Sequence, residues 1–230
     1  IFIYYPSIRI FFASKLAGIK NIFHYPFKKK KLHLVETAKE FTCKSLNIKD
    51  CPTETKIAVK QEKLEKVKKY FHKDRFNIVI GAGSSGPDTR WGSENFVKLI
   101  NKLNEKGNYF FFIQCGLDQK ELSEKIIKNI KKKNYLDISQ ISIEEIIPYL
   151  SQCDMYVGND TFSHHVTSQS NKPSIVILLN SPKAYSDYSI YHHRVIPDNI
   201  KIEEIDHNSN FNSDSVSVEK VLNKIIQIQN

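Results

Sequence analysis

The sequence predicts an α/β protein whose C-terminal part is a doubly wound parallel sheet. Short β-branched or aromatic runs alternate with amphipathic stretches of helical period from the first residue to the last. Glycine-rich loops follow two of the buried strands, and apolar residues make up 40% of the 230 residues, enough to bury a core. Regular alternation of strand and helix favours parallel pairing with helices on both faces.

The N-terminal part begins directly in a predicted strand. Residues 1–5 and 21–25 read as strands, and residues 7–17 read as a helix that Gly18 ends. Residues 33–46 have apolar positions at helical spacing. Because the chain opens with Ile in a strand rather than with Met, we expect it to be incomplete at the N-terminus.

A change of composition marks the predicted domain boundary. Residues 53–73 are polar and rich in Lys and Glu, which predicts a partial N-terminal domain over 1–60, a linker over 61–73 and a C-terminal domain over 74–230. In the C-terminal domain the predicted strands are 76–80, 109–115, 155–157 and 174–179. The predicted helices are 93–106, 119–132, 142–150, 162–170 and 216–228. Ser142 and Glu145 form a predicted capping box.

The positive charge is concentrated in the first third of the chain. Residues 1–73 hold 17 Lys and Arg against 6 Asp and Glu, whereas residues 74–230 hold 17 against 19. The densest run is Lys28, Lys29, Lys30 and Lys31, for which we expect peripheral contact with an anionic membrane, a solvated face being the alternative. No nucleic-acid motif is present, and neither a membrane span nor a signal peptide is predicted, so we expect a cytoplasmic protein.

The four cysteines are scattered along the sequence, which favours reduced thiols.

The first glycine-rich loop covers residues 81–92 and reads Gly-Ala-Gly-Ser-Ser-Gly-Pro-Asp-Thr-Arg-Trp-Gly. Ligands of doubly wound sheets bind at the carboxyl ends of the strands, where this loop lies. Its small residues let backbone N–H groups approach phosphate oxygens, Ser84 and Ser85 offer hydroxyl groups, and Arg90 offers a guanidinium fork. These features predict a phosphate site, with a flexible strand-to-helix turn as the alternative.

Two better-known phosphate motifs do not describe this loop. Its glycine spacing formally matches the dinucleotide fingerprint, but Pro87 and Asp88 continue the loop where the helix should begin, and no acidic residue ends the next strand. Gly86 is followed by Pro-Asp instead of Lys-Ser/Thr, which excludes a P-loop. An oxidoreductase is further disfavoured because no Tyr-x-x-x-Lys pair lies on a predicted helix.

The second loop covers residues 158–166 and reads Gly-Asn-Asp-Thr-Phe-Ser-His-His-Val. It joins a strand to a helix whose N-terminal N–H groups and partial positive charge favour a diphosphate. Asp160 and Thr161 are then placed to bond a ligand, with His164 or His165 one turn later. The alternative is that Asp160 or Thr161 only caps the helix and the histidine is a packed residue.

Together the two loops resemble glycosyltransferase family 9, the lipopolysaccharide heptosyltransferases and their relatives. The family's glycine-rich stretch that ends in a basic residue and Trp corresponds to residues 81–83 with Arg90 and Trp91. Its Asp-Thr-Gly-x-x-His motif corresponds to residues 160–165, followed by Lys172-Pro173 and an apolar strand. The resemblance covers nearly the whole chain.

The resemblance implies a GT-B architecture of two Rossmann-like domains, in which the second binds a nucleotide-sugar, here an ADP-linked donor. It implies inverting transfer of a heptose-like sugar to a lipopolysaccharide-type or other glycan acceptor, with no metal or other cofactor. Implied contacts are to phosphates for Ser84, Ser85, Arg90 and His165, to the nucleoside for Glu121, to the sugar for Asp160, and to the diphosphate for Thr161, with Phe162 and Ser163 beside it.

Two departures from the family pattern limit what the resemblance implies. Phe162 replaces the family's glycine, and the family's catalytic Asp lies in a segment that would precede Ile1. A general base is needed to deprotonate the acceptor, so we expect donor binding with little turnover by this chain. A nucleotide-sugar epimerase and a non-catalytic nucleotide-binding scaffold are the alternatives.

Overall fold

The computed structural model describes residues 1–25, 34–86 and 89–230, and the chain divides into two compact units, Ile1–Thr55 and Lys56–Asn230. This division precedes the segment 61–73 that the sequence predicted to be a linker. That segment instead contains helix α3 (Gln61–Lys68) of the second unit. Val67 of this helix belongs to the same buried apolar cluster as Phe112 and Tyr149, so the segment is part of a core.

In its described residues, the first unit consists of a parallel pair of short strands and two helices. Strand β1 (Phe2–Ile3) pairs with β2 (Phe23–His24), and the helices are α1 (Ile8–Leu16) and α2 (Leu34–Leu46). The Ser7 hydroxyl caps α1, and Gly18 follows the helix with φ +73°, a conformation that glycine adopts easily. The basic run Lys28–Lys31 lies outside the described residues.

The second unit contains a six-stranded, all-parallel sheet. Its strands are β3 (Phe76–Gly81), β4 (Tyr109–Gln114), β5 (Tyr135–Asp137), β6 (Met155–Asn159), β7 (Ser174–Ile177) and β8 (His192–Val195). Their order across the sheet is β5-β4-β3-β6-β7-β8. The chain therefore winds outward from β3 to one edge and then from β6 to the other, as predicted for a doubly wound sheet. The direction reverses between β3 and β6, which makes their carboxyl ends the topological switch point.

Five further helices cover the sheet: α4 (Ser93–Lys106), α5 (Lys120–Asn129), α6 (Ile143–Gln152), α7 (Phe162–Gln169) and α8 (Val218–Gln229). Alternate side chains of each strand point to opposite faces, so β3 supplies Ile78 and Ile80 to one apolar core and Val79 to the other. The capping box of Ser142 and Glu145 is present at the start of α6, as predicted.

Two strands were missed in the sequence. Strand β5 is three residues long, and β8 reads His-His-Arg-Val, so neither contains the apolar run that identifies a buried strand. Both are edge strands, so each pairs with another strand of the sheet on one side only. Among the described residues, no helix is long and apolar enough to cross a membrane.

Candidate functional site

The two loops singled out in the sequence leave the sheet side by side at the switch point. Strand β3 pairs with β6 so that Gly81 lies opposite Gly158. The loop after β3 and the loop after β6 therefore start from neighbouring positions at the carboxyl edge of the sheet. Ligands of doubly wound folds bind at this position.

The buried side chain of Asn159 ties the two loops together. Its Nδ2 donates to the carbonyl of Ala82 at 2.8 Å and lies 3.3 Å from that of Gly83, while its Oδ1 accepts from the backbone N–H of Trp91 at 2.9 Å. Trp91 is itself fully buried, and its indole N–H donates to the carbonyl of Val216 at 2.7 Å. One residue of β6 thus fixes both ends of the glycine-rich loop.

Neither Gly81 nor Gly158 has room for a side chain. A Cβ atom at Gly158 would lie 2.3 Å from the carbonyl oxygen of Gly81, and one at Gly81 would lie 2.0 Å from the hydroxyl of Tyr156. The space is occupied by the Tyr156 phenol, which donates to the carbonyl of Asn159 at 2.8 Å and lies 3.2 Å from the hydroxyl of Thr161. The glycines therefore make room for a buried tyrosine that holds the second loop.

In the first loop, the predicted phosphate ligands have different environments. Ser84 is buried, and its hydroxyl bonds Thr89 and the carbonyl of Gly86, so it shapes the loop. Ser85 is exposed. Arg90 donates from Nη2 to the carbonyl of Ser84 at 3.0 Å, whereas its Nε is buried with no hydrogen-bond partner among the described residues. Arg90 thus retains a donor for an anion beside the loop.

The second loop begins helix α7 with Thr161 as its N-cap. The Thr161 hydroxyl accepts from the backbone N–H of Ser163 at 3.3 Å, as the capping alternative predicted. Asp160 precedes it, with only 11% of its side chain exposed, and accepts a 2.8 Å hydrogen bond from Nε2 of His164. Burial would raise the pKa of Asp160, but the bonds from His164 and Ser181 and the neighbouring histidine charges outweigh burial and lower it.

The two histidines of the motif have different environments. His164 is fully buried, whereas a third of the His165 side chain is exposed. Nδ1 of His165 bonds the Tyr188 hydroxyl, and burial together with the charge of His164 lowers the pKa of His165 to about 4, against an opposing effect of Asp160. His165 is therefore neutral at pH 7 and can offer one ring N–H to a ligand.

The remaining predicted residues differ in how far they are exposed. Phe162 is 45% exposed at the first turn of α7, while Ser163 is buried and donates to Gln114 at 3.1 Å. Glu121 is exposed in the first turn of α5 and makes no hydrogen bond or ion pair with a described residue. The structure brings residues 84–86, 89–90 and 160–165 to the carboxyl ends of β3 and β6, and no hydrogen bond or ion pair joins Glu121 to them within the described ranges.

Several residues of the site were missed in the sequence. Gln119 donates to the carbonyl of Ser84 at 2.8 Å, and Asn159 and Tyr156 hold the loops as described above. His192 on β8 lies beside the motif histidines, with ring centroids 5.0 Å from His164. Only the placement of Asn159 directly before Asp160 offered a sequence signal; the others depend on tertiary contacts.

Comparison with known proteins identifies the family. The model of glycosyltransferase family 9 (heptosyltransferase) matches residues 9–189. A lipopolysaccharide heptosyltransferase 1 from Campylobacter coli is 24% identical over 162 residues, which cover 68% of this chain and 47% of the relative. The chain therefore spans about half the length of that relative.

Solved structures of the family share the fold. A family 9 glycosyltransferase from Veillonella parvula matches with a TM-score of 0.76 and 14% identity, over 93% of this chain and 65% of that protein. The ADP-heptose lipopolysaccharide heptosyltransferase II of E. coli matches with a TM-score of 0.72 and 14% identity, over 100% and 77%. The predicted GT-B-like architecture is confirmed by this similarity, and the chain belongs to glycosyltransferase family 9, the heptosyltransferase family.

Proposed function

We propose that the second unit binds a nucleotide-sugar at the switch point, and that the protein transfers a heptose-like sugar from an ADP-linked donor to a lipopolysaccharide-type glycan with inversion. The observation that carries this proposal is the pairing of a glycine-rich loop with a helix N-terminus at the carboxyl ends of β3 and β6, held together by Asn159. Doubly wound folds bind nucleotides at this position.

The diphosphate is assigned to the space between the two loops. The first N–H groups of α7 have no partner within the helix, and the helix dipole places partial positive charge at Thr161 and Phe162. Arg90 lies on the opposite loop with an unpaired, buried Nε. These groups can balance the negative charge of a departing nucleoside diphosphate without a metal ion.

Other predicted donor contacts follow from exposure. Ser85, Phe162 and His165 are at least partly exposed on the two loops, and His165 is suited to donate a neutral hydrogen bond to a phosphate oxygen. Asp160 and Ser163 are mostly buried and engaged by His164 and Gln114, so we assign them the positioning of α7 rather than the principal contact with the sugar.

The identity of the nucleoside is proposed from a relative. The E. coli neighbour is named as an ADP-heptose enzyme, which supports the proposal of an ADP-linked donor for this chain. Glu121 is then proposed to contact the nucleoside by movement of its exposed side chain.

The proposal is tested by titrating the chain with ADP, UDP, GDP and NAD while recording the thermal unfolding midpoint and the heat of binding. We expect selective stabilisation by ADP. Arg90→Gln and His165→Gln should each weaken ADP binding about tenfold, the loss of one charge-assisted or neutral hydrogen bond. Arg75→Gln is the matched control, because Arg75 precedes β3 at the opposite end of the sheet.

Stabilisation by NAD alone, or equal binding by Arg90→Gln and Arg75→Gln, would overturn the donor-site assignment. The reaction is tested separately by supplying ADP-heptose with and without a heptose-accepting lipopolysaccharide core. Release of ADP only with acceptor supports a transferase. Conversion of the donor sugar without acceptor supports the epimerase alternative. Donor binding with neither reaction is expected both for the scaffold alternative and for the low turnover that the sequence predicts for this chain.

A further inference from the structure

Three histidine side chains meet beside the second loop. His164 and His165 are consecutive in α7, and His192 begins the edge strand β8. One ring nitrogen from each can be chosen so that all three atoms lie within 4.8 Å of one another. The rings of His164 and His165 are 3.7 Å apart between centroids, and those of His164 and His192 are 5.0 Å apart.

Two of these imidazoles are buried and have nitrogen atoms that lack hydrogen-bond partners. His164 has no solvent-exposed area, and its Nδ1 bonds no described group. His192 is 8% exposed, and neither of its ring nitrogens makes a hydrogen bond of normal geometry to a described residue. A buried polar atom without a partner costs free energy that a bound ligand can recover.

In His164 and in His165, one ring nitrogen already forms a hydrogen bond, as the second nitrogen of a metal-binding histidine does. Nε2 of His164 bonds the Asp160 carboxylate at 2.8 Å, which leaves Nδ1 as the free ligand atom. Nδ1 of His165 bonds the Tyr188 hydroxyl, which leaves Nε2 free, since that atom lies 3.7 Å from Asp160, beyond hydrogen-bond range. A carboxylate–histidine pair fixes the tautomer and strengthens the imidazole as a ligand.

We propose that His164, His165 and His192 form a binding site for a divalent transition metal of the Zn²⁺ class, with Asp160 and Tyr188 as its outer hydrogen-bond partners. Three imidazoles are a known ligand set for Zn²⁺ and leave a fourth position for water or an anion. Bonds of about 2.0–2.1 Å set tetrahedral nitrogen ligands about 3.3 Å apart, so the three rings close inward from their present separation when the metal binds.

This inference does not rest on the proposed donor site, although the two are neighbours. Of the ring nitrogens assigned to the metal, only Nε2 of His165 is also assigned to donor binding. Because His165 and Asp160 belong to both, Zn²⁺ and ADP should compete or bind interdependently, which can be measured once each binds alone. Metal binding itself is read without nucleotide.

The test is calorimetric titration of untagged, chelator-treated protein with Zn²⁺ alone, in a Cys43→Ser/Cys51→Ser background. That background removes a second candidate site, because the two thiols lie 3.5 Å apart. We expect about one Zn²⁺ per chain and a raised unfolding midpoint. His192→Asn and His164→Asn should each weaken binding at least about tenfold, as loss of a ligand does at least as much as loss of an outer partner. His193→Asn, the neighbouring histidine on β8, is the matched control and should bind as the parent does.

A second measurement needs no histidine variant, in case His164→Asn fails to fold. Co²⁺ added to the parent protein should give the intense visible absorption of a four-coordinate ion, which Zn²⁺ then abolishes. Absence of stoichiometric Zn²⁺ binding, Co²⁺ that stays six-coordinate, or equal Zn²⁺ affinity in His192→Asn and His193→Asn would each overturn the proposal and leave three packed imidazoles.

Discussion

The backbone N–H of Trp91 donates a 2.9 Å hydrogen bond to the side-chain carbonyl of Asn159, 68 residues further along the chain. The amide nitrogen of the same Asn159 donates to Ala82 at the other end of the glycine-rich loop. A residue that ends β6 therefore holds the loop after β3 at both of its ends, Ala82 and Trp91.

Replacing Asn159 should destabilise the second unit and weaken nucleotide binding. Asn159→Leu leaves the buried N–H of Trp91 and the carbonyl of Ala82 without partners, which predicts a loss of about 2–4 kcal/mol in the free energy of unfolding. Urea denaturation measures this loss. Asn108→Ala removes an exposed amide that bonds Asp74 and should stay within about 0.5 kcal/mol of the parent. Similar losses in the two variants would show that Asn159 does not tie the loops.

The glycine pair at the switch point gives a second prediction. Gly158→Ala places a Cβ 2.3 Å from the Gly81 carbonyl oxygen, and neither backbone can move without disturbing the sheet. We predict a loss of about 1–3 kcal/mol, the usual effect of overpacking. Gly86→Ala is the control, because its added Cβ would find no described atom nearer than 3.8 Å. A stable Gly158→Ala protein with unchanged nucleotide affinity would contradict the close-approach account.

The N-cap of α7 gives a third prediction that separates helix stability from ligand binding. Thr161→Val removes the hydroxyl that accepts from Ser163 and should cost about 1 kcal/mol of stability. Under the proposed function it also weakens ADP binding about tenfold, a loss of about 1.4 kcal/mol. Thr161→Ser keeps the hydroxyl and should retain both properties. Full ADP affinity in Thr161→Val, measured calorimetrically, would show that the N-cap of α7 is not part of the donor site.

Thiol reactivity tests the burial pattern independently of any ligand. Burial raises the pKa of Cys115 and of Cys153 to about 12, so neither should react with a disulfide reagent in the folded protein. Cys43 and Cys51 are partly exposed and should react well before the buried pair, although burial and the hydrogen bond with Cys51 raise the pKa of Cys43. We therefore expect two fast thiols per chain and two more only after unfolding, with no fast thiol in Cys43→Ser/Cys51→Ser. Four equally fast thiols would contradict the packing of the second unit.

Most elements of the sheet were predictable because their residues repeat with the period of their structure. Strand β3 contains a run of buried apolar residues, and the capping box of Ser142 and Glu145 marks the start of α6. Strands β5 and β8 were not predictable, since short polar edge strands are defined by the neighbour they pair with. Likewise α3 looked like a linker because its single buried residue, Val67, meets partners far away in sequence.

The position of the candidate site was predictable from the sequence, but the hydrogen bonds and side-chain contacts within it were not. The two loops were found from glycines, a helix start and the rule that ligands bind at strand carboxyl ends. The spacing of the residues did not show which side chains face a ligand. Ser84 and Ser163 have hydroxyl groups that could bind a phosphate, but these hydroxyls form hydrogen bonds within the protein. His192 could not be linked to His164 before β8 was placed beside β7.

The most direct test of the donor site is a crystal structure of this chain with ADP. We predict the diphosphate within hydrogen-bond distance of the first N–H groups of α7 and of the Arg90 side chain, between the loops that Asn159 joins. A diphosphate found instead at the opposite edge of the sheet, among Lys68, Lys73 and Arg75, would contradict the account, because those cations lie at the amino end of β3.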